Sequence, residues 1–379
     1  MNATKWVKSF FILFSLSVFF FILSIILIDP LKVLHKPYFF KDRFNSNMRL
    51  QNAGIIKNYE FDSIILGTSM LENTSAVEAS NLLGGNFANI SMSASDYYER
   101  NIVLSYALKN KEIKKVIYSL DSNYYNLEKK YINYPLETYI YLYDENIFND
   151  VKVYFNNSYF KYITTLFKKS SKKTLEYPTA WFDDKSNIVR FGGLDNWLKA
   201  ENSNKIKDVF SSVVSTSEKI KKNEKIVQND TEDLKQKIKY YIDDTIIKNV
   251  IKYPNTEFIM FFPPYSRLNY ALWAQCDISK YEIHKEIIRY MTEKSNQYKN
   301  LKIYGFENDD FLDDIANYKD LTHYHQSINS LMLSNFKNNI GLLTSENIES
   351  YIKISETKAL NYNVGYIADR MSEYLKNKK

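Results

Sequence analysis

The hydrophobic pattern of the chain begins with one long apolar stretch. Residues 9–28, SFFILFSLSVFFFILSIILI, carry no charged side chain. Twenty helical residues at about 1.5 Å each span about 30 Å, which matches the hydrocarbon thickness of a bilayer. The exit sequence LIDPLKV lacks the small-residue pattern of a cleavage site. The segment therefore favours an uncleaved signal anchor over a cleaved signal peptide.

The residues that flank this stretch bear on its orientation. Basic side chains lie on both sides of it: Lys5, Lys8, Lys32, Lys36, Lys41 and Arg43. The positive-inside count is therefore not decisive. The short tail of residues 1–8 is easily retained inside, and Asp29 lies at the far edge of the span. We expect a single-pass protein of the inner (cytoplasmic) membrane with its large domain on the periplasmic or extracellular side.

Beyond residue 60, short apolar runs alternate with helical patterns. The runs that predict strands are SIILG, FANISM, KKVIYSLD, TEFIMFFPP and LKIYGF. The segments SAVEASNLLG and DYYERNIVLSYALKN, a stretch across about 280–297 and the segment after the last run read as helices. Strand and helix in alternation at this spacing predict βαβ units, a parallel sheet and the α/β class.

The same pattern predicts how the chain is divided. Residues 29–60, with the aromatic run HKPYFFKDRF, are expected to form a juxtamembrane stalk. Residues 61–345 are expected to form one domain, interrupted by a largely helical insertion at about 124–245. From about Thr231 to Tyr253 an apolar stripe suits packing on the sheet. Residues 346–379 are expected to be a C-terminal helical extension.

Composition excludes some classes of function. The 379 residues carry a net charge of +6, with Lys and Glu mixed and no compact basic stripe, so nucleic-acid binding has little support. A single cysteine, Cys276, excludes an intramolecular disulfide and a cysteine-based metal site. The abundant Tyr and Phe suit either stacking on sugars or the codon bias of an AT-rich genome, and we favour the latter. Trp181 and Trp197, around Gly192 and Gly193, leave the same choice between sugar stacking and core packing.

Candidate catalytic residues follow the predicted strands. Ser69 follows the first strand, Asn123 follows the third, and Asp320 and His323 lie in KDLTHYH after the last. Ligands of open parallel sheets bind outside the carboxyl ends of the strands. A serine nucleophile needs a histidine to take its proton and an acid to orient the imidazole. The sequence therefore predicts a Ser–His–Asp site, which requires neither a metal nor a cofactor.

Each of these residues has an alternative role. Ser69 suits a turn serine that caps the next helix, and Asp320 and His323 suit a helix N-terminus with aspartate as cap. His325 competes with His323 for the role of base, although its position favours the start of the next helix. The other histidines are expected to be structural or exposed: His35 and His284.

The order and spacing of four segments resemble the SGNH (GDSL-like) hydrolases, and in particular the membrane-anchored members that act in envelope acylation. The segments are IILGTSM, NFANISMSASDYYE, VIYSLDSNYY and YKDLTHYHQSINSLML. The resemblance covers roughly residues 60–125 and 255–340. It implies a three-layer domain around a parallel sheet, with Ser69, His323 and Asp320 as the catalytic residues.

The resemblance also implies an oxyanion hole made by the backbone N–H groups of Met70 and Ala94 and the side-chain amide of Asn123. The family normally has a glycine near Ala94. In the third block, Asp121 stands where glycine is expected and Tyr124 where aspartate is expected, so only Asn123 matches.

Three further residues are candidates for substrate contact. Asn89 suits either substrate binding or fixing of the loop after the second strand. Asp121 suits orientation of a substrate hydroxyl or capping of a turn. Tyr265, with its neighbours in PPYS, suits the rim of the site, and the alternative is a rigid end to the strand.

These expectations combine into a leading function and two alternatives. The leading one is a membrane-anchored serine esterase or acyltransferase that modifies a cell-surface glycan, with a membrane-bound acyl donor protein as a further partner. The first alternative is a catalytically inactive binding or assembly component of a surface-polysaccharide system. The second is a structural, membrane-anchored protein with a different α/β fold.

Overall fold

The computed structural model describes residues 3–39, 42–45, 47–122, 134–167, 176, 188–199, 203–228 and 230–377. In these ranges the strands are β1 (Ser63–Leu66), β2 (Phe87–Asn89), β3 (Lys115–Ser119), β4 (Glu257–Phe261) and β5 (Leu301–Tyr304). The helices are α1 (Ala3–Ile28), α2 (Met48–Asn58), α3 (Ala76–Leu83), α4 (Tyr97–Asn110), α5 (Tyr159–Phe167), α6 (Leu194–Lys199), α7 (Ser203–Lys221), α8 (Thr231–Ile242), α9 (Lys248–Lys252), α10 (Arg267–Gln275), α11 (Ile278–Gln297), α12 (Gln326–Asn338), α13 (Ile348–Asn361) and α14 (Val364–Asn377).

The five strands form one parallel sheet in the order β2-β1-β3-β4-β5. Ser63 of β1 lies opposite Phe87 of β2 and Lys115 of β3. The alternation of the sequence therefore predicts the α/β class and the parallel sheet correctly. The carboxyl ends of β1, β3 and β4 lie side by side, which brings the segments that follow them to one edge.

Helices cover both faces of the sheet. Successive strand residues point to opposite sides, so Ile64 and Leu66 enter one hydrophobic core and Ile65 enters the other. Helices α2, α4, α8, α9, α11 and α13 contribute to the first core, and α3, α6, α7, α10, α12 and α14 contribute to the second. Because α13 and α14 belong to the two cores, the predicted C-terminal extension is an integral part of the domain.

The sequence predicts a juxtamembrane stalk at residues 29–60, but part of this segment is packed in the domain. Helix α2 lies within residues 29–60, and its residues from Met48 to Ile56 are buried. Its polar side chains find internal partners: Arg49 forms a bidentate pair with Glu99 at 2.5 and 2.9 Å, and Asn52 donates to the carbonyl of Ile90 at 2.8 Å. Burial of such polar groups is tolerated because they are hydrogen-bonded. This part of the chain is a wall of the domain.

Helix α1 is long and apolar enough to cross a membrane, and among the described residues it alone meets that description. Its C-terminal turns contact the domain through Ile25, which packs in a third cluster with Leu50 and Tyr154. Within the predicted insertion, the described residues form three short 3-10 turns together with α5, α6, α7 and α8.

Candidate active site

The turn after β1 is shaped by a glycine in close contact with its neighbours. A Cβ atom on Gly67 would lie 2.4 Å from the hydroxyl of Ser119 and 2.7 Å from Cδ1 of Leu71. The chain can therefore pass this point only without a side chain. Immediately after it come Thr68 and Ser69, so the close packing of Gly67 fixes where the serine hydroxyl emerges.

Thr68 ties this turn to the end of β3. Its hydroxyl donates to Oδ1 of Asp121 at 2.9 Å, while Ser119 donates to Oδ2 at 2.6 Å and Arg100 lies 3.1 Å from the same oxygen. The Asp121 carboxylate is thus engaged by three internal groups, and the residue is only 3% exposed. This geometry favours a structural role for Asp121, and its predicted contact with a substrate hydroxyl stays a prediction.

Asn89 holds the far side of the same turn. Its buried side-chain amide donates to the carbonyls of Leu71 at 2.7 Å and Thr74 at 2.8 Å, and its oxygen accepts from the N–H of Ser91 at 3.1 Å. The residue therefore links the 3-10 turn after the serine to the end of β2. The structure agrees with the loop-fixing alternative for Asn89, and substrate contact stays a prediction.

The loop that carries the histidine is fastened to the end of β4. Ser266 donates to the carbonyl of Leu321 through its N–H at 3.0 Å and through its hydroxyl at 2.7 Å. The hydroxyl of Tyr318 donates to the carbonyl of Pro264 at 3.0 Å, and Tyr318 pairs with Tyr324 across the loop. The residues after Pro263 therefore position the loop that carries His323 and also end the strand.

These two segments bring the predicted catalytic residues together. Oγ of Ser69 lies 2.9 Å from Nε2 of His323, across 254 positions of sequence. On the other side of the ring, Nδ1 lies 2.9 and 3.0 Å from the two carboxylate oxygens of Asp320. An ionised carboxylate only accepts hydrogen bonds, so Nδ1 carries the proton and Nε2 is left to accept from the serine hydroxyl. This is the arrangement that a serine nucleophile requires.

The electrostatics of the pair keep Asp320 ionised. Burial opposes its charge, but the His323 imidazole and hydrogen bonds from the ring and backbone of His323 hold the pKa of the carboxyl well below its usual range. The backbone N–H groups of Thr322 and His323 donate to Oδ1 at 3.1 and 2.9 Å. The His323 side chain is 27% exposed, so part of the imidazole is accessible to solvent.

An arginine from the insertion also lies beside Asp320, and the sequence pattern does not indicate this position. Nη2 of Arg190 lies 3.5 Å from Oδ2 of Asp320. Its segment packs against the residues that precede His323: Gly192 donates to the carbonyl of Ala316 at 2.9 Å, and the indole of Trp197 donates to that of Tyr318 at 2.7 Å. The sequence signal for a tight turn here is the glycine pair Gly192 and Gly193, which have φ angles of 97° and 114° in the structure. Trp197 is a core residue, and Trp181 lies outside the described residues.

His325 takes no part in the contact with Ser69. It is the N-cap of α12, where Nδ1 accepts from the N–H of Ser327 at 3.2 Å, and its ring contacts Phe191 edge-on at 5.1 Å between centroids. The competing assignment of the base is therefore not supported by the geometry.

The three predicted oxyanion donors have different standing. Met70 directly follows Ser69 and precedes the 3-10 turn Leu71–Asn73, and its N–H lies 3.5 Å from the Thr68 hydroxyl. Ala94 is exposed and has a φ of 53°, a left-handed conformation that favours glycine. Its neighbour Ser93 is fixed by donation to the buried Glu72 at 2.8 Å. Asn123 lies outside the described residues.

Tyr265 borders the site from the end of β4. It is 6% exposed, and its hydroxyl accepts from the N–H of Ser122 at 3.4 Å. Burial, with the nearby Asp121 carboxylate, raises the pKa of its phenol, so the hydroxyl stays protonated at neutral pH. Tyr265 therefore supports the residues after β3, next to the predicted third block.

The other two histidines lie elsewhere. His284 is buried, with Nε2 2.7 Å from Glu307, among aromatic rings that include Tyr270 and Trp273. His35 stacks on Tyr38 at 4.1 Å beyond the end of α1. The described residues include no group of three or more His, Cys, Asp or Glu side chains that could hold a metal ion.

No protein-family model matches this chain, and a search of curated proteins returned no significant match.

Proposed function

We propose that this protein is a membrane-anchored serine esterase or O-acyltransferase of the SGNH-like type that modifies a cell-surface glycan. One observation carries the proposal: the Ser69 hydroxyl, the His323 imidazole and the Asp320 carboxylate form a continuous hydrogen-bonded chain at the carboxyl edge of a parallel sheet. Helices on both faces of that sheet support a three-layer SGNH-like domain.

The chemistry follows from the contacts. Nε2 of His323 takes the hydroxyl proton as Oγ of Ser69 attacks an ester carbonyl, and Asp320 stabilises the imidazolium that forms. The bond to the leaving alcohol then breaks, and the imidazolium returns its proton to that alcohol. An acyl-serine remains. His323 next deprotonates a sugar hydroxyl or water, which attacks the acyl carbon. The bond between the acyl carbon and Oγ of Ser69 then breaks, and the imidazolium returns the proton to Oγ.

The negative oxygen of each tetrahedral intermediate needs donors. The N–H groups of Met70 and Ala94 and the amide of Asn123 are the proposed set. Loss of one such donor typically costs about 2.7–4 kcal/mol in the transition state.

The membrane anchor defines where this reaction takes place. With α1 in the inner membrane and the domain on its outer side, the site is held close to lipid-linked or wall-attached glycans and to a membrane-bound acyl donor protein. Such tethering raises the effective concentration of the substrate.

A fluorophosphonate probe tests the proposal, because it reacts covalently with activated serines. The full-length protein in detergent should be labelled, and Ser69→Ala should abolish the label. His323→Gln should lower it strongly. Ser93→Ala, which removes an exposed hydroxyl from a neighbouring loop, is the matched control and should label like the wild type. An unlabelled wild type, or equal labelling of Ser69→Ala, contradicts the proposal.

A non-catalytic glycan-binding component of a surface-polysaccharide system is the second candidate. The left-handed Ala94 favours it, since a methyl group stands where substrate approaches the family glycine closely. This function predicts no probe labelling, together with glycan binding that Ser69→Ala leaves intact.

A further inference from the structure

The last turns of α1 are covered by residues of the domain. The ring of Phe21 lies 5.5 Å from that of Phe155 and 5.2 Å from that of Tyr159, centroid to centroid. The hydroxyl groups of Ser24 and Tyr159 lie 2.8 Å apart. The domain therefore touches α1 along its side and not only where the helix ends.

The depth of this contact follows from helix geometry. Phe21 precedes Ile28, the last residue of α1, by seven positions, which is about 10 Å along the axis. The chain leaves the helix at Asp29, whose carboxylate accepts from the N–H groups of Leu34 and His35 at 2.7 and 2.9 Å. This polar turn suits the membrane boundary, so side chains that reach Phe21 lie on the hydrocarbon side of it.

The residues at that depth expose large apolar surfaces. Phe155 is 61% exposed and Phe160 is 70% exposed, while Tyr159 between them is buried against α1. Helix α1 itself exposes large apolar side chains at this level, with Phe19 at 58% and Phe20 at 60%. Phe155 contacts Phe21 of α1 directly, and Phe160 adjoins Tyr159, so both exposed rings lie beside an apolar helix.

We propose that Phe155 and Phe160 are immersed in the lipid leaflet on the domain's side of the membrane, as a second membrane contact beside α1. Aromatic side chains concentrate at this depth because their rings suit the boundary between headgroups and acyl chains. The occupant of this surface is lipid, because Phe155 contacts the side of a helix that is long and apolar enough to cross a membrane. The proposal rests on the membrane anchor of the proposed function and is independent of its catalytic part.

These two membrane contacts would fix the orientation of the domain relative to the membrane plane. A domain on a flexible stalk would sample many orientations, whereas a helix and an immersed aromatic surface at one depth hold it in one. The sheet then keeps a constant angle to the membrane plane.

Depth-resolved fluorescence tests this contact in the full-length protein in nanodiscs. In a Cys276→Ala background, single cysteines at Phe155 and Phe160 receive an environment-sensitive dye. Phe19→Cys in α1 is the positive control. Ile354→Cys, 46% exposed on α13 and outside the cluster around α1, is the negative control. Unfolding temperatures identify any variant that fails to fold, and the exposed Phe160 site tolerates exchange best.

We expect quenchers on lipid acyl chains to reduce the signal at 155 and 160 several-fold more than at 354, and aqueous iodide to show the reverse order. Iodide quenching equal to that at 354 overturns the proposal. Shielding from both quenchers also overturns it, because it indicates a protein partner on this surface. If the dye at position 19 also escapes lipid quenching, the membrane anchor itself is wrong, whereas the probe-labelling result for Ser69 is unaffected.

Discussion

Replacing Ala94 by glycine should stabilise the protein, because the backbone of Ala94 is in the left-handed region. The φ of Ala94 is 53°, and a left-handed backbone costs a non-glycine residue about 1–2 kcal/mol. Glycine removes that strain but loses about 0.4–1 kcal/mol more conformational entropy on folding. The side chain of Ala94 is exposed, so deletion of its methyl group leaves no cavity. The net gain is about 0.5–1 kcal/mol.

The neighbouring residue supplies a matched control. Ser93 is also exposed but has a negative φ, so Ser93→Gly relieves no strain and should cost about 0.5–1 kcal/mol. For a domain of this size, each change corresponds to about 1 °C in unfolding temperature, in opposite directions. Thermal unfolding of the detergent-solubilised proteins, repeated enough to resolve a separation of ~2 °C, measures both. Equal destabilisation by the two glycines would refute the strain argument.

Three further changes test the site. Gly67→Ala places a methyl group 2.4 Å from the Ser119 hydroxyl, which should cost about 1–3 kcal/mol and reduce fluorophosphonate labelling; normal unfolding temperature and labelling would contradict the packing argument. Asp320→Asn removes a carboxylate whose pKa is lowered by folding. The ionised carboxylate therefore stabilises the folded protein above about pH 4, and this stabilisation is lost as the pH falls toward the lower pKa of the folded state. The gap in unfolding temperature between wild type and Asp320→Asn should therefore narrow from pH 6 to pH 3, and a constant gap would exclude this linkage. Arg190→Gln removes the cation that lies 3.5 Å from Asp320 and should lower fluorophosphonate labelling, because the carboxylate that orients His323 loses one of its partners; Arg190→Lys should restore part of the label, and wild-type labelling of Arg190→Gln would exclude this role.

The strands could be predicted from the sequence because their apolar runs are short and bounded. The run Ser63–Leu66 is followed by a glycine, and Glu257–Phe261 runs into two prolines, so each strand has a marked end. Since parallel strands place those ends together, the meeting of Ser69 with His323 also follows from the pattern. The observed 2.9 Å between Oγ and Nε2 is what the prediction requires.

Helix α2 could not be predicted as part of the domain. Its sequence, MRLQNAGIIKN, is polar enough for an exposed segment, yet its polar groups are buried. Arg49 is matched by Glu99 and Gln51 by the carbonyl of Leu31, and both partners are distant in sequence. Periodicity reports the hydrophobicity of one segment and carries no information about such distant partners.

Arg190 escaped prediction for a related reason. It lies in an irregular part of the insertion. Its place beside Asp320 depends on the hydrogen bonds of Gly192 and Trp197 to the segment that precedes His323. Nothing in the local sequence indicates this docking. His284 was predicted to be structural or exposed, and its burial against Glu307 agrees with the structural alternative.

The long sequence separation between Ser69 and His323 has a consequence for biosynthesis. Ser69 and His323 are separated by 254 positions. At about 5–20 residues per second, the ribosome adds His323 roughly 10–50 s after Ser69. During that interval the emerging chain has a serine hydroxyl with no imidazole beside it. The contact between Ser69 and His323, on which the proposed reaction depends, can therefore form only long after helix α1 has been synthesised.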